Sequence, residues 1–381
     1  MRVLLVQRSL LPPGGGNGVA AWIANALAGT VELETLTERR WDPAAVDAFY
    51  GTALAKRRLR QRVPRVGLPR ALSSWRLDRL RMALLLREAR RVERAFDVMV
   101  TADNFAAFER PGIQYLHYPA ALRPEPEAFA PAVRVYYALC DALSGLSWPR
   151  VAANVTLANS TWTADRLRRL GLDPRVVPPP VVDPGPGRVW SDRDATFLAV
   201  GRFHGSKRLE LVLRVLTRVR ARHPAIRLRF VGSPVDAAYT ARIRRLAAAH
   251  HDWVNIDEDL PRDALHDLMG RSRYGVHAMV DEHFGMAAAE MARGGMIVFC
   301  HRSGGLVDVV GHDERLLWDT EDEAVERILG VLASPAADQA ALAARLAAHA
   351  ARFSPERFAA DIVDVIHGVT IARNAGSASS S

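Results

Sequence analysis

The run DEHFGMAAAE, residues 281–290, sets two carboxylates eight residues apart, Glu282 and Glu290, around a Phe284-Gly285 step and a stretch of alanines. Carboxylates accept hydrogen bonds from hydroxyls. A glycine at a helix start lets backbone N–H groups approach a ligand, and the helix dipole there favours oxygen-rich or anionic groups. With Glu282 in a loop and Glu290 two turns into a helix, about 12 Å along the axis and about 80° around it separate the acids. Such a pair suits two ends of one extended, hydroxyl-rich ligand; the plainer reading is a capping acid and a solvated glutamate. Upstream, GRFHGSKRLELVL at 201–213 carries Arg202 and Lys207. The chain has two lysines, Lys56 and Lys207, among 51 basic residues, so a lysine kept here points to a wanted point charge. Together Arg202 and Lys207 would clamp a phosphate, the guanidinium in bidentate fashion and the ammonium as a mobile cation.

Further polar positions follow other apolar runs. HRSGGLVD at 301–308 puts Ser303, Gly304 and Gly305 where an N-cap and backbone donors would serve a phosphate or a sugar hydroxyl. His117 closes IQYLHYP and could meet a sugar hydroxyl or a developing charge. GGGNG at 14–18 satisfies G-x-G-x-x-A, but RSLLPPG separates it from the preceding strand, too long for the tight turn of a dinucleotide site. A flexible glycine loop is the expectation instead. Asp257-Glu258-Asp259 resembles a metal-binding D-x-D without supporting histidines or carboxylates, so no metal is expected.

The elements that must position these residues alternate. Strands are expected at 2–7, 31–36, 97–101, 112–117 and 155–158, with a helix at 18–27 and another capped by Ser160 and ended by Gly171. After VVPPPVVDPGPG, where prolines and glycines forbid regular structure, the alternation restarts with strands at 196–200, 227–231, 253–256, 274–278, 296–299 and 316–318. Strands alternating with helices of ten to fifteen residues imply parallel sheets covered on both faces. The expected architecture is therefore α/β, two Rossmann-like domains facing across a cleft. The first spans 1–186 and the second 187–352; a helix over 353–375 packs back toward the first, and the polar tail 376–381 is disordered. In such sheets ligands bind beyond the carboxyl ends of the strands, where all the residues above fall.

Composition narrows the class. With 381 residues, 49% hydrophobic, the chain is globular and long enough for two cores. The distant cysteines Cys140 and Cys300 read as buried thiols, which suits a reducing cytoplasm. The N-terminal apolar stretch is broken by Gln7 and Arg8, and no eighteen apolar residues run together, so neither a signal peptide nor a membrane span is expected. A formal charge of +9 favours an anionic partner. Much of it lies in residues 55–94, where Trp75, Leu77, Leu80 and Leu84 make one helical stripe: a surface for an anionic membrane, or a core-facing stripe with a solvated arginine face.

Arg202, Lys207, the Glu282-His283-Phe284-Gly285 motif, Glu290 and Ser303-Gly304-Gly305 in this order resemble the retaining glycosyltransferases of family four, with the GT-B fold. The resemblance covers most of the chain and is sharpest from GRFHGSKRLELVL to RSGG. It implies a nucleotide diphosphate sugar, UDP- or GDP-linked, bound without metal or other cofactor. Arg202 and Lys207 would neutralise the diphosphate, Glu282 with the amides of Phe284 and Gly285 would hold the sugar, and Glu290 would take the ribose hydroxyls. Gly15 and Gly16 match the family's glycine loop beside the phosphates, and His117 its histidine near the reacting face of the sugar. QYLHYP, ANSTWTADRL and EHFG look most like the mannosyltransferase branch that extends lipid-linked oligosaccharides. Gly205 and the small Ala287–Ala289 run depart from the family pattern and leave the sugar open. The implied activity is transfer of a hexose, mannose by this likeness, to a hydroxyl acceptor such as a lipid-linked or secondary-metabolite glycan, in the cytoplasm or at the inner membrane face, with no nucleic acid partner. An epimerase, a phosphorylase or a non-catalytic basic binding protein are the competing readings.

Overall fold

The computed structural model describes residues 1–11, 14–65, 77–103, 105–118, 130–185 and 187–378, with side chains as far as residue 371 in the last helix. The chain divides into two compact units, Met1–Pro180 together with Pro355–Ser381, and Val181–Ser354. The first is built on seven parallel strands: β1 (Arg2–Val6), β2 (Glu32–Leu36), β3 (Arg60–Arg62), β4 (Val98–Thr101), β5 (Ile113–Leu116), β6 (Val155–Ala158) and β7 (Pro174–Val176), in the order β3-β2-β1-β4-β5-β6-β7. The second has six: β8 (Asp194–Val200), β9 (Arg227–Gly232), β10 (Val254–Glu258), β11 (Ser272–His277), β12 (Ile297–His301) and β13 (Leu317–Trp318), in the order β10-β9-β8-β11-β12-β13, again parallel.

Both faces of each sheet are covered, which is why the central strands read as unbroken apolar runs. In β1 the side chains alternate: Val3 and Leu5 enter one core, Leu4 and Val6 the other. The first of these cores is closed by the helix Pro355–Ala378, whose Phe358, Ile362, Val365, Ile366 and Val369 recur at helical spacing and are buried against the sheet and the helix Gly15–Leu27. Each side chain fully buried there contributes roughly 1.5–3 kcal/mol. The helix reaches Ala378, across the first residues of the polar tail, and residues 379–381 lie outside the described set.

Two differences from the sequence reading have plain causes. Strands β3 and β7 are three-residue edge strands, RQR and PRV, too short and too polar to show a period, and Pro174 opens β7 where a missing N–H costs little. The helix Asp78–Val92 turns a different stripe inward: Ala83, Leu85, Leu86 and Ala89 are buried while Leu77, Leu80 and Leu84 are only partly so, and Trp75 lies outside the described residues. Its arginines are held by carboxylates, Arg79 by Asp141 (2.6 Å), Arg90 by Glu109 (2.6 Å) and Arg81 by Glu38, so the local positive excess is partly neutralised.

In the second unit Phe197 of β8 stacks on Tyr274 of β11 with ring centroids 4.7 Å apart, and the Tyr274 hydroxyl donates to Gln339 at 2.6 Å. Buried Arg193 donates to the carbonyls of Gly294 (2.9 Å) and Gly295 (3.0 Å). It thereby anchors the C-terminal end of the helix Met286–Arg293, whose other end carries the site. Strand order fixes where that site lies. The chain leaves β8 toward β9 on one side and reaches β11 on the other, so the carboxyl ends of β8 and β11 flank the point where the winding reverses, the usual ligand crevice of an open parallel sheet.

Candidate active site of the C-terminal unit

From the end of β8 the backbone runs through Gly201 and Arg202 to Phe203, which is fully buried and whose N–H donates to the Ser233 carbonyl (2.8 Å). That anchor leaves Arg202 exposed. A single 3₁₀ turn, Gly205–Lys207, follows, capped by His204 Nδ1 accepting from the Ser206 N–H at 3.2 Å. Arg208 then takes a left-handed conformation (φ 51°) before the helix Leu209–Arg220. The turn points Lys207 across to the loop after β11, where its Nζ lies 2.5 Å from Glu282 Oε2.

Lys207 and Glu282, which the resemblance gives to the diphosphate and to the sugar, are thus in direct contact, with side chains only 18% and 16% exposed. A third group joins them: His277, the last residue of β11, is 4% exposed and sets Nε2 3.1 Å from the same Glu282 oxygen. An ionised carboxylate accepts only, so the imidazole nitrogen facing it must carry a proton. Burial lowers the His277 pKa, and the nearby Lys207 charge lowers it further against the opposing pull of Glu282, which makes the neutral Nε2–H tautomer the resting form. Burial alone would raise the Glu282 pKa; the His277 hydrogen bond and the Lys207 charge outweigh it and hold the carboxyl well below the usual glutamate range. The stability this contributes is present above the unfolded-state pKa of about 4.3 and is lost as pH falls through the depressed folded value. Oε2 is engaged twice, which leaves Oε1 for a ligand.

The loop that carries Glu282 is braced from beneath. Gly304 (φ 70°) lies so close that a Cβ would sit 2.0 Å from the Glu282 carbonyl oxygen, and the Gly305 N–H donates to that oxygen at 2.7 Å. Ser303 Oγ accepts from the Asp281 N–H at 2.8 Å and sits 2.9 Å from His301 Nδ1. The expectation that Ser303 caps a ligand-binding helix is corrected here: the helix it precedes has four residues, Leu306–Val309, and is entered from Gly305, so Ser303 spends its hydroxyl on the Glu282 loop. Gly285 (φ 104°) forms the cap of the helix Met286–Arg293, and its own Cβ would meet Leu306 at 2.6 Å. No side chain caps this helix start, so its first amides stay available to a ligand. Phe284 is buried edge-on against Phe353 (5.2 Å). Glu290 is partly buried with no hydrogen bond or ion pair among the described residues; burial raises its pKa, opposed by Arg262. Asp257 and Glu258 are taken by Arg229 (2.5 and 2.8 Å) and Arg244 (2.7 Å), and no cluster of three or more metal-ligating side chains occurs among the described residues.

Sequence reasoning missed two residues of this site. His277 ends the largely buried strand SRYGVH and signals nothing until Glu282 folds back onto it. Arg208, which reaches the Ala278 carbonyl at 3.5 Å, was masked by the abundance of arginine.

The first unit carries its own polar group at the carboxyl ends of its strands. Gly15 and Gly16 open the helix Gly15–Leu27 and are not a flexible loop: Gly14 is extended (φ −178°), its N–H donates to the Tyr50 hydroxyl at 3.2 Å, and that hydroxyl donates to the Leu10 carbonyl at 3.2 Å. A Cβ at Gly16 would contact the His117 ring at 3.4 Å. His117 Nε2–H donates to the Ala102 carbonyl (2.9 Å), and its own carbonyl accepts from Asn159 (3.1 Å).

Two units of parallel sheet with the site at the winding reversal of the second define a Rossmann-like glycosyltransferase fold of the GT-B type. Solved structures of low sequence identity share it: the HepE protein of Anabaena in complex with UDP and glucose (TM-score 0.69, 15% identical, covering 96% of this chain and 99% of that one) and sucrose-phosphate synthase of Thermosynechococcus elongatus (TM-score 0.68, 16%, 97% and 99%). Within that class, residues 188–352 match the family "Glycosyl transferases group 1". Curated relatives include GDP-Man:Man(3)GlcNAc(2)-PP-Dol alpha-1,2-mannosyltransferases from Dictyostelium discoideum (28% identical, 48% of this chain and 41% of that protein), Yarrowia lipolytica (26%, 69% and 49%) and Homo sapiens (25%, 59% and 50%). The chain spans about half the length of these curated relatives.

Proposed function

We propose that the protein is a retaining, metal-independent glycosyltransferase that moves a hexose, mannose from GDP-mannose in the first instance, to a hydroxyl of a lipid-linked glycan. The observation that carries this reading is the cation and carboxylate held together at the carboxyl ends of β8 and β11. The activity named for the relatives, transfer of mannose from GDP-mannose to a dolichol-linked oligosaccharide, directs the choice of donor and acceptor. In the site the ammonium of Lys207 has three donors, of which Glu282 needs one; two remain for diphosphate oxygens, and exposed Arg202 adds a bidentate guanidinium. Both groups act on the charge that grows on the departing nucleotide, a role worth about 3 kcal/mol per preorganised group. Glu282 Oε1 and the amides of Phe284 and Gly285 take the sugar hydroxyls, and Glu290 takes the ribose. Ser303 and Gly304 act by bracing the Glu282 loop. Gly15, Gly16 and His117 are candidate contacts of the N-terminal unit, supported by the resemblance and by their mutual proximity.

No helix among the described residues is long and apolar enough to cross a membrane. In this reading the lipid-linked acceptor brings the protein to a membrane's cytoplasmic face, with the basic segment 55–94 as the candidate contact. The relatives named above are all transferases, so neither an epimerase nor a phosphorylase is favoured. The test is a transfer assay with GDP-mannose and UDP-glucose, with and without EDTA, and NMR of the product. Acceptor-dependent release of GDP, an α-linked product and insensitivity to EDTA are expected. Release of nucleotide from neither donor with any glycolipid acceptor, together with failure to bind either donor, would remove the proposal.

A further inference from the structure

We propose that His277 is a positioning residue that fixes which oxygen of Glu282 is offered to the donor sugar. This rests on the assignment of Glu282 to the sugar. The ring is buried at the end of β11, where His277 registers with Cys300 of β12, so strand pairing sets its backbone. From that fixed point Nε2–H donates to Glu282 Oε2 at 3.1 Å, on the same oxygen that Lys207 holds at 2.5 Å. Two donors on one oxygen define a carboxylate plane, whereas Lys207 alone, on a flexible four-carbon stem, would leave the carboxylate free to turn about it. The loop is braced from the other side by Gly304 and Gly305 against the Glu282 carbonyl. Backbone and side chain of Glu282 are thus immobilised separately, and Oε1 is the oxygen left unengaged by these two groups. The titratable groups that face Glu282 are Lys207 after β8, His277 on β11 and Cys300 on β12; the thiol of Cys300 is only a weak donor, and it is His277 that donates to Glu282 from a rigid strand.

The discriminating comparison is between His277→Gln and His277→Met, side chains of nearly equal size of which only the first can donate. Affinities of the full-length protein for GDP-mannose and for GDP, and for UDP-glucose and UDP, would be measured by calorimetry beside kcat and KM. Because Glu282 is assigned to the sugar and not to the nucleotide, His277→Met is expected to lose roughly 10- to 100-fold in kcat and in nucleotide-sugar affinity, the range of a lost hydrogen bond to a charged group. Free-nucleotide affinity should not change, and His277→Gln should recover most of the loss. Equal behaviour of the two variants, or a parallel fall in nucleotide and nucleotide-sugar affinity, overturns the inference. Acid unfolding supplies a readout that needs no ligand. Without the donor the folded-state pKa of Glu282 rises, so His277→Met should lose stability at a higher pH than His277→Gln, and coincident acid midpoints overturn the inference too. Wild type that binds neither nucleotide pair, with separated acid midpoints, would refute the proposed function while leaving the Glu282 orientation intact.

Discussion

The carboxyl ends of the two sheets handle charge in opposite ways. In the N-terminal unit, Arg8 at the end of β1 is shared by Asp103 (2.6 Å) and Asp78 (3.2 Å), and Arg81 pairs with Glu38 and Asp78. These five groups, with two cations and three carboxylates, largely spend their charge on one another. In the C-terminal unit, Lys207, His277 and Glu282 converge on one carboxylate oxygen, while Arg202, Oε1 of Glu282 and the Glu290 carboxylate have no ion-pair or hydrogen-bond partner among the described residues. Charge neutralised within a unit sets shape; charge left open at a strand end is available to a ligand. Under the proposed function, this contrast is the reason for giving donor chemistry to the second sheet.

The largest effect expected is on transfer. Lys207→Ala should lower kcat by about 10²- to 10³-fold, as removal of a preorganised electrostatic group does. It also leaves a largely buried carboxylate short of a cation, at a cost of up to roughly 3–5 kcal/mol in stability, so the double variant Lys207→Met with Glu282→Gln should regain melting temperature without regaining activity. Next comes packing in the first unit: Phe358→Ala, measured by urea unfolding, should cost about 3–5 kcal/mol and spare nucleotide affinity in whatever fraction stays folded. Equal loss of nucleotide binding would mean that the two units do not divide the labour as described.

Glu290 gives a pH prediction of intermediate size. Its pKa is raised by burial, and only the ionised form accepts two ribose hydroxyls. Nucleotide affinity should therefore fall on acidification at a pH above the ordinary glutamate range, and Glu290→Gln should abolish that limb. The smallest effect is expected from Asp103→Asn, which breaks one of two pairs to a partly exposed arginine and should shift stability by about 1 kcal/mol or less with nucleotide affinity unchanged. A strong loss of donor binding from this substitution would reverse the comparison.

Much of this arrangement was legible in the sequence, for identifiable reasons. Short apolar runs such as RVLLV and TFLAV, rich in β-branched residues and alternating with helical stretches, suit strands buried on both faces, so the parallel sheets and the residues that follow β8 and β11 could be named in advance. The direct contact of Lys207 with Glu282 could not, because it depends on a single 3₁₀ turn and on the register of β8 beside β11. Ser303 and Gly304 read as ligand donors because their types suit a phosphate; their packing against the Glu282 loop, with a Cβ at Gly304 2.0 Å from the Glu282 carbonyl oxygen, had no signal in the sequence. The glycines at 14–18 read as a flexible loop because RSLLPPG separates them from the preceding strand; the helix that opens at Gly15 depends on Tyr50, distant in sequence, which pins Gly14.

The most direct test of the account is calorimetric titration of wild type, Lys207→Ala and Glu282→Gln with GDP and with GDP-mannose. The account predicts that Lys207→Ala weakens both ligands by at least about tenfold, whereas Glu282→Gln weakens GDP-mannose and leaves GDP untouched. Identical affinities across all three proteins would contradict it.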